Sequence, residues 1–232
     1  MRYLVNESTD PYFNMAFDEW CLENLDTDEP VFYLWKDRPS VIIGLNQNAA
    51  QEVNLEYLRE NGIVLARRVT GGGAVYHDLQ NLNYTIIGKG VGPEIFADAL
   101  CRLGVDAELT GRNDIFVDGK KVSGYAKRFW KDRELIHGTL MYDVDIDVLT
   151  KALTTAVSKL VLKGVSSVRS RVTNLKDMLP QFNDIDEVKA ALHKILSDGD
   201  EAIVLTEKQL SEIRELSESK FSTREWLFRE LK

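Results

Sequence analysis

Three consecutive glycines, Gly71-Gly72-Gly73, stand between two apolar runs with strand character, Ile63-Val64-Leu65-Ala66 and Asn83-Tyr84-Thr85-Ile86-Ile87. Such a triplet is entropically costly in a folded domain, and it lets the backbone approach a ligand with no side chain in between. Hairpins use a single glycine or an Asn-Gly or Asp-Gly pair, so three exceed what a turn requires. Arg67-Arg68 precede the triplet, and Ala74-Val75-Tyr76-His77-Asp78 follow it. Bare N–H groups beside guanidinium groups make a concave site for an anion such as phosphate or carboxylate. The connection is therefore expected to be a cofactor or active-site loop. It is not a P-loop, because no Lys-Ser or Lys-Thr follows the glycines. Nor is it a dinucleotide fingerprint, since Tyr76 stands where the third glycine belongs.

The remaining patterns predict a mixed chain. Asp10 and Pro11 open a helix whose apolar stripe is Phe13, Ala16, Phe17, Trp20, Cys21 and Leu25. Strands are expected at Val31–Lys36, Ser40–Gly44, Asp106–Leu109, Asp114–Val117, Lys121–Tyr125 and Leu135–Tyr142. Helices are expected at Leu55–Asn61, from Gly92-Pro93 to Leu103, and over Ile146–Leu162, Ile185–Ser197 and Thr206–Ser219. Strands do not alternate with long helices, so an α+β domain with a mixed or antiparallel central sheet flanked by helices is expected. At 232 residues this is one large domain, or one with a small appendage.

The formal charge of −8 argues against broad nucleic-acid binding. No long uncharged apolar stretch is present, so neither a membrane span nor a signal peptide is expected. Cys21 and Cys101 read as buried free thiols, consistent with the cytoplasm. Asp143, Asp145 and Asp147 begin like a calcium loop, but Val148 and Thr154 stand where glycine and glutamate belong, so helix capping is the better reading.

A second constellation spans Gly111-Arg112-Asn113-Asp114 through Asp118-Gly119 to Lys121-Val122-Ser123-Gly124, a strand, an Asp-Gly hairpin and a return strand. Alternation would put Lys121 and Ser123 on one face and Val122 on the other. Taken singly, Lys121 is an ordinary edge-strand lysine. The Ser-Gly close behind it, which permits close backbone approach, shifts the balance toward function. His137-Gly138-Thr139-Leu140 forms another strand carrying a glycine.

These segments resemble the lipoate–protein ligase A family, whose catalytic domain is of the class II aminoacyl-tRNA synthetase and biotin ligase type. The resemblance rests on Arg67–Asn83, Gly111–Ala126, His137–Leu140 and Lys163–Leu175, with softer matches at Asn14–Glu19, Trp35 and Gln47-Asn48. It extends from about residue 2 to Trp226.

The resemblance implies ATP-dependent activation of lipoate to lipoyl-AMP, then transfer to a lysine of an acceptor. That acceptor would be a lipoyl domain of a 2-oxoacid dehydrogenase E2 or a glycine-cleavage H-type protein. It assigns Lys121 to both the lipoate carbonyl and the α-phosphate. Arg68 and the backbone of Gly73, Ala74, Val75 and Tyr76 would meet the nucleotide, with Gly71 and Gly72 allowing the approach. Thr70, Ser123, Gly124, Gly138 and Thr139 join the ligand-binding set, and His77 lies in the pocket wall. Asn113 and Asp114 would serve phosphate and Mg²⁺ respectively. The segment Gly164–Leu175, with Arg169 and Arg171, resembles the loop that covers the adenylate. Family members commonly continue past this point into a small accessory domain. Residues 1–232 are thus expected to be the catalytic domain alone, with a separate small accessory subunit as one possible partner. A related octanoyl- or lipoyl-transferase would instead need a cysteine thiolate at the pocket.

Overall fold

A computed structural model describes residues 1–110, 113–153, 172–197, 199 and 202–229. The expected Gly164–Leu175 covering loop falls mostly outside these residues. So do Gly111 and Lys163, and the expected helix beyond residue 153.

Seven strands form the main sheet, in the spatial order β1 (Arg2–Tyr3), β2 (Val31–Trp35), β6 (Asn81–Gly88), β10 (Arg133–Met141), β9 (Lys120–Trp130), β8 (Asp114–Val117) and β7 (Ala107–Thr110). Only β1 and β2 run parallel; the other neighbours are antiparallel. Every residue of β2 and β6 is buried, because helices cover both faces. On one face lies α1 (Pro11–Asn24), where Phe17 packs edge-on to Tyr33 and Asp18 meets Thr85. On the other lie α4 (Glu94–Leu103) and α6 (Ile185–Leu196): Phe96 stacks on Tyr84 at 3.6 Å, and His193 packs against Phe32 and Tyr3. Strands buried on both sides lose the usual apolar–polar alternation.

A smaller sheet places β3 (Ser40–Ile43) between β4 (Val64–Arg67), which is parallel to it, and β5 (Val75–His77), which is antiparallel. Since β4 and β5 are consecutive but flank β3, the chain between them must cross the end of β3. The glycine triplet makes that crossing. A methyl group on Gly44, just past β3, would lie 2.3 Å from the Gly72 carbonyl oxygen, and Gly72 itself has φ +95°. The smaller sheet closes over a second apolar cluster that includes Val41, Ile43, Leu58, Tyr76, Met141 and Leu149. Short helices α2 (Ala49–Glu52) and α3 (Leu55–Glu60) follow β3, and α5 (Ile146–Ala152) follows β10. The chain ends in α7 (Glu207–Leu216), a π-helical turn and α8 (Arg224–Leu227).

Asp10 caps α1 through Tyr12 and Phe13, and Asp145 caps α5, as expected of both. Asp118 and Gly119, at φ 49° and 72°, make the β8–β9 turn. Three short elements, α2, β5 and α8, have too few residues to show periodicity and were not foreseen. Cys21 is buried as expected, whereas Cys101 is exposed, on the outer side of α4. Among the described residues no helix is long and apolar enough to cross a membrane.

Candidate active site

On the α1 face of the main sheet, one row of neighbouring residues crosses four strands. Gly124 of β9 donates its N–H toward the Thr139 hydroxyl of β10 at 3.4 Å; Thr139 pairs with Asn83 of β6, and Asn83 with Trp35 of β2. All four line a cleft of about 590 Å³, counting its open mouth. The glycine loop and β5 form the opposite wall through Gly73, Ala74, Val75 and His77.

Lys121 stands at one end of this row. The β8–β9 register shifts between Ile115 and Phe116, so that Phe116 faces Lys121 while Ile115 faces Ser123. The lysine side chain lies over Gly124, where a methyl group would sit 2.8 Å from Nζ. The Ser-Gly after the lysine thus makes room for the lysine's own ammonium. Asp114 pairs with it at 2.7 Å, in a partly exposed setting. Asn113 donates its side-chain N–H to the Tyr125 carbonyl at 3.0 Å, fixing the start of β8 at the cleft's edge. Ser123 is buried behind the strand and is not part of the cleft lining.

Arg68 shapes the glycine loop from inside. Its guanidinium donates to the carbonyls of Ile42, Gly71 and Gly73 and to the Thr70 hydroxyl, at 2.7–3.1 Å. Full burial lowers its pKa to about 10, so it stays charged near neutrality. With these carbonyls held inward, the exposed N–H groups of Gly71, Gly72 and Gly73 have no acceptor among the described residues. An adjoining shallow hollow, about 560 Å³ counting the open space above it, is lined by Gly71, Gly72, Asn113, Tyr125, Ala126 and Lys127. The loop therefore presents bare donors beside Lys121, the arrangement that developing phosphate charge requires. Thr70 is buried beneath the loop, and the Tyr76 ring belongs to the smaller apolar cluster; neither lines the cleft.

Two buried histidines are fixed by aspartates that the sequence did not single out. His137 Nδ1 faces Asp18 at 2.6 Å, and its Nε2 faces the Thr70 hydroxyl at 2.7 Å. Asp18 also accepts from the Tyr33 and Thr85 hydroxyls. His77 Nδ1 faces Asp37 at 2.9 Å, and Asp37 accepts from Asn14 at 2.8 Å. Burial pushes the Asp37 carboxyl above its ordinary value, opposed by hydrogen bonding to His77. Asn14 and Asp18 are four apart on α1, a spacing that marks one helical face. That spacing was the available signal. The apolar stripe concealed it, because α1 buries residues on nearly all sides.

The structure thus brings Arg68, Gly73, Ala74, Val75, His77, Asn113, Lys121, Gly124, Gly138 and Thr139 to one cleft, with Asp114 on the lysine and Gly71 and Gly72 in the adjoining hollow. Neither cysteine lines it. Gly138 is needed by packing as well: a methyl group there would fall 2.5 Å from the Tyr84 hydroxyl.

Comparison with known proteins gives a consistent result. The lipoyl protein ligase A/B catalytic domain family matches residues 10–197. Lipoate-protein ligase LplJ of Bacillus subtilis is 40% identical, over 97% of this chain and 73% of its own. Among solved structures, a bi-partite lipoate protein ligase of Thermoplasma acidophilum, described with its E2 lipoyl domain, superposes with TM-score 0.85 at 34% identity, covering 98% of this chain and 95% of that one. The Thermoplasma acidophilum protein Ta0514 with bound lipoic acid gives 0.84 at 33% identity, covering 99% of both chains. A lipoate-protein ligase A bound with ATP gives 0.83 at 33% identity, covering 98% of both. By sequence and by fold, this chain belongs to the lipoyl protein ligase A/B catalytic domain family.

Proposed function

We propose that this chain is a lipoate–protein ligase that activates lipoate with ATP to lipoyl-AMP and transfers the lipoyl group to a lysine of a lipoyl-acceptor domain. One observation carries the residue assignment. Lys121 holds its ammonium over Gly124, at the junction of the cleft and a glycine loop with bare N–H groups. The cleft accommodates an apolar acyl chain, and the loop side accommodates phosphates.

In the first step a lipoate carboxylate oxygen attacks the α-phosphorus, and the bond to the leaving pyrophosphate breaks. Two anions must approach, so fixed positive charge and N–H donors do the work, with no protein nucleophile. Lys121 bridges the carboxylate and the α-phosphate. The N–H groups of Gly71–Gly73 receive phosphate oxygens, while Arg68 holds the loop in shape from beneath. In the second step the acceptor lysine's amine attacks the acyl carbonyl, AMP leaves, and the amine loses a proton. Burial of the acyl chain against Trp35, Asn83 and Thr139 keeps water from the mixed anhydride.

Mg²⁺ fits this donor set in a limited way. Among the described residues no group of three His, Cys, Asp or Glu could cage a metal. A Mg²⁺ held mainly by phosphate oxygens typically needs only one or two carboxylates, and Asp114 supplies one beside Lys121. When bound, the ion neutralises phosphate charge. Residues 1–232 are read as one catalytic domain, and two free cysteines accord with a reducing compartment such as the cytoplasm. The acceptor is a lipoyl domain of the E2 type, or an H-type protein of glycine cleavage. The E2 acceptor is supported by the Thermoplasma acidophilum ligase described with its E2 lipoyl domain.

The same relative supports a second reading, because it is described as bi-partite and this chain covers 95% of its matched chain. On that reading, adenylation needs a separate small polypeptide. Incubation of the purified chain with lipoate, ATP and Mg²⁺, followed by mass spectrometry, separates the two. Lipoyl-AMP from the wild type and none from Lys121→Ala supports the self-sufficient ligase. No adenylate, but transfer from synthetic lipoyl-AMP to an acceptor domain, supports the two-part enzyme. Failure of both sinks the ligase reading. A thioester-forming transferase finds no thiol in the cleft, and replacing Cys21 and Cys101 should leave transfer intact.

A further inference from the structure

Lys121 fixes where a carboxylate would bind, and the row Gly124–Thr139–Asn83–Trp35 fixes the direction in which an acyl chain runs from it. Neighbouring strands lie about 4.8 Å apart, so the three steps from β9 to β2 span roughly 14 Å, enough for an eight-carbon acid. The far end of that row is not purely apolar. His77 packs against Trp35 with ring centroids 6.1 Å apart, and Asn83 approaches its Nδ1 at 3.4 Å. The His77 side chain is 4% exposed. Its Nδ1 is occupied by Asp37, whereas its Nε2 is buried with no hydrogen-bond partner among the described residues.

A buried polar atom without a partner carries a desolvation cost that a suitable ligand removes and an unsuitable one preserves. Nε2 carries either a lone pair or an N–H, according to which atoms hold the proton that Nδ1 shares with Asp37. The disulfide sulfur of lipoate accepts weakly from an Nε2–H, and the thiol of its reduced form donates weakly to an Nε2 lone pair. A saturated hydrocarbon tail does neither. Resting on the ligase reading above, we infer that His77 is a specificity-determining residue, whose Nε2 recognises the sulfur end of the acyl chain and disfavours plain fatty acids of equal length. Asp37 acts through His77 by holding its ring, and is a positioning residue.

Calorimetric titration of the full chain with lipoate and with octanoate tests this without requiring adenylation. The wild type is expected to bind lipoate about tenfold more tightly, which corresponds to about 1.4 kcal/mol. His77→Leu, which fills the space with an apolar group, is expected to bring the two affinities within about twofold. His77→Gln keeps a polar atom near the same place and is expected to retain most of the preference. That pattern distinguishes recognition from a loss of packing, which would weaken both acids alike. An unchanged ratio in His77→Leu, or no preference in the wild type, overturns the inference while leaving the ligase reading intact. If the wild type binds neither acid, both fall together.

Discussion

Arg67 and Trp226 exchange hydrogen bonds across 159 residues of sequence: the indole Nε1 donates to the Arg67 carbonyl at 3.0 Å, and Arg67 Nε donates to the Trp226 carbonyl at 2.9 Å. The remaining guanidinium donors reach the carbonyls of Gly44, Leu45, Gln47 and Leu227. One fully buried arginine therefore joins the end of β3, the base of the glycine loop and the last helix. Its neighbour Arg68 holds the loop itself. The pair that reads as a single anion-binding element is in fact two internal braces, one on each side of β4.

Arg67→Lys should therefore be far from conservative. A lysine ammonium has three donors at one point and cannot span five carbonyls. Leaving several of them unsatisfied should cost at least about 3 kcal/mol. Thermal melts should show the loss, and Trp226→Phe, which removes a single donor, should show about 1 kcal/mol. Equal stability of Arg67→Lys and the wild type would contradict the bracing role.

Gly124→Ala offers a clean test of the lysine's position. The added methyl group clashes with the far end of the Lys121 side chain, at 2.8 Å from Nζ, and makes only an ordinary contact with Asp114 Oδ1 at 3.7 Å. The ammonium must move, but no backbone need shift. Adenylation is expected to fall by about 10²–10³, the range found on removing one charge-stabilising donor, with little change in melting temperature. Near-normal activity would mean that Lys121 acts from another position.

Gly44→Ala should behave in the opposite way. There the methyl group meets the Gly72 carbonyl oxygen at 2.3 Å, with backbone on both sides of the clash. Overpacking of this kind costs about 1–3 kcal/mol, and the glycine loop is the part that can yield. Both stability and apparent ATP affinity should drop, as read by melting and by nucleotide titration. Loss of stability with unaltered ATP affinity would show that the loop's resting shape is not what binds phosphate.

The sequence discloses those parts of this molecule that depend on local chemistry. Asp10 before Pro11, Asp118-Gly119 and the long apolar runs each determine their own conformation, so α1, the β8–β9 turn and most strands were legible. The cleft's wall, from Gly73 to His77, was legible because a glycine triplet has few other uses. What was not legible depends on pairing across the sheet. Asp18 reaches His137 over 119 residues, Asp37 reaches His77 over 40, and Arg67 reaches Trp226 over 159. The same holds for Thr70, Tyr76 and Ser123, which the motifs group with the ligand. Tyr76 and Ser123 lie behind it because alternation in β5 and the β9 irregularity turn them inward, and Thr70 lies beneath the loop, bonded to Arg68 and His137.

Asp37 predicts a pH dependence whose sign can be worked out. Burial is the main influence on its carboxyl and raises the pKa above 3.8, with His77 pulling the other way. A carboxyl whose native pKa exceeds its unfolded value favours folding most when protonated. That contribution is fully present below the unfolded pKa and is lost as pH rises through the native one. Asp37→Asn cannot titrate at this position. The stability of the wild type relative to Asp37→Asn should therefore increase on acidification from neutrality toward pH 3.8, measured as the difference in melting temperature at each pH. A difference that shrinks on acidification would reverse the assignment: the hydrogen bond to His77 would then outweigh burial at Asp37.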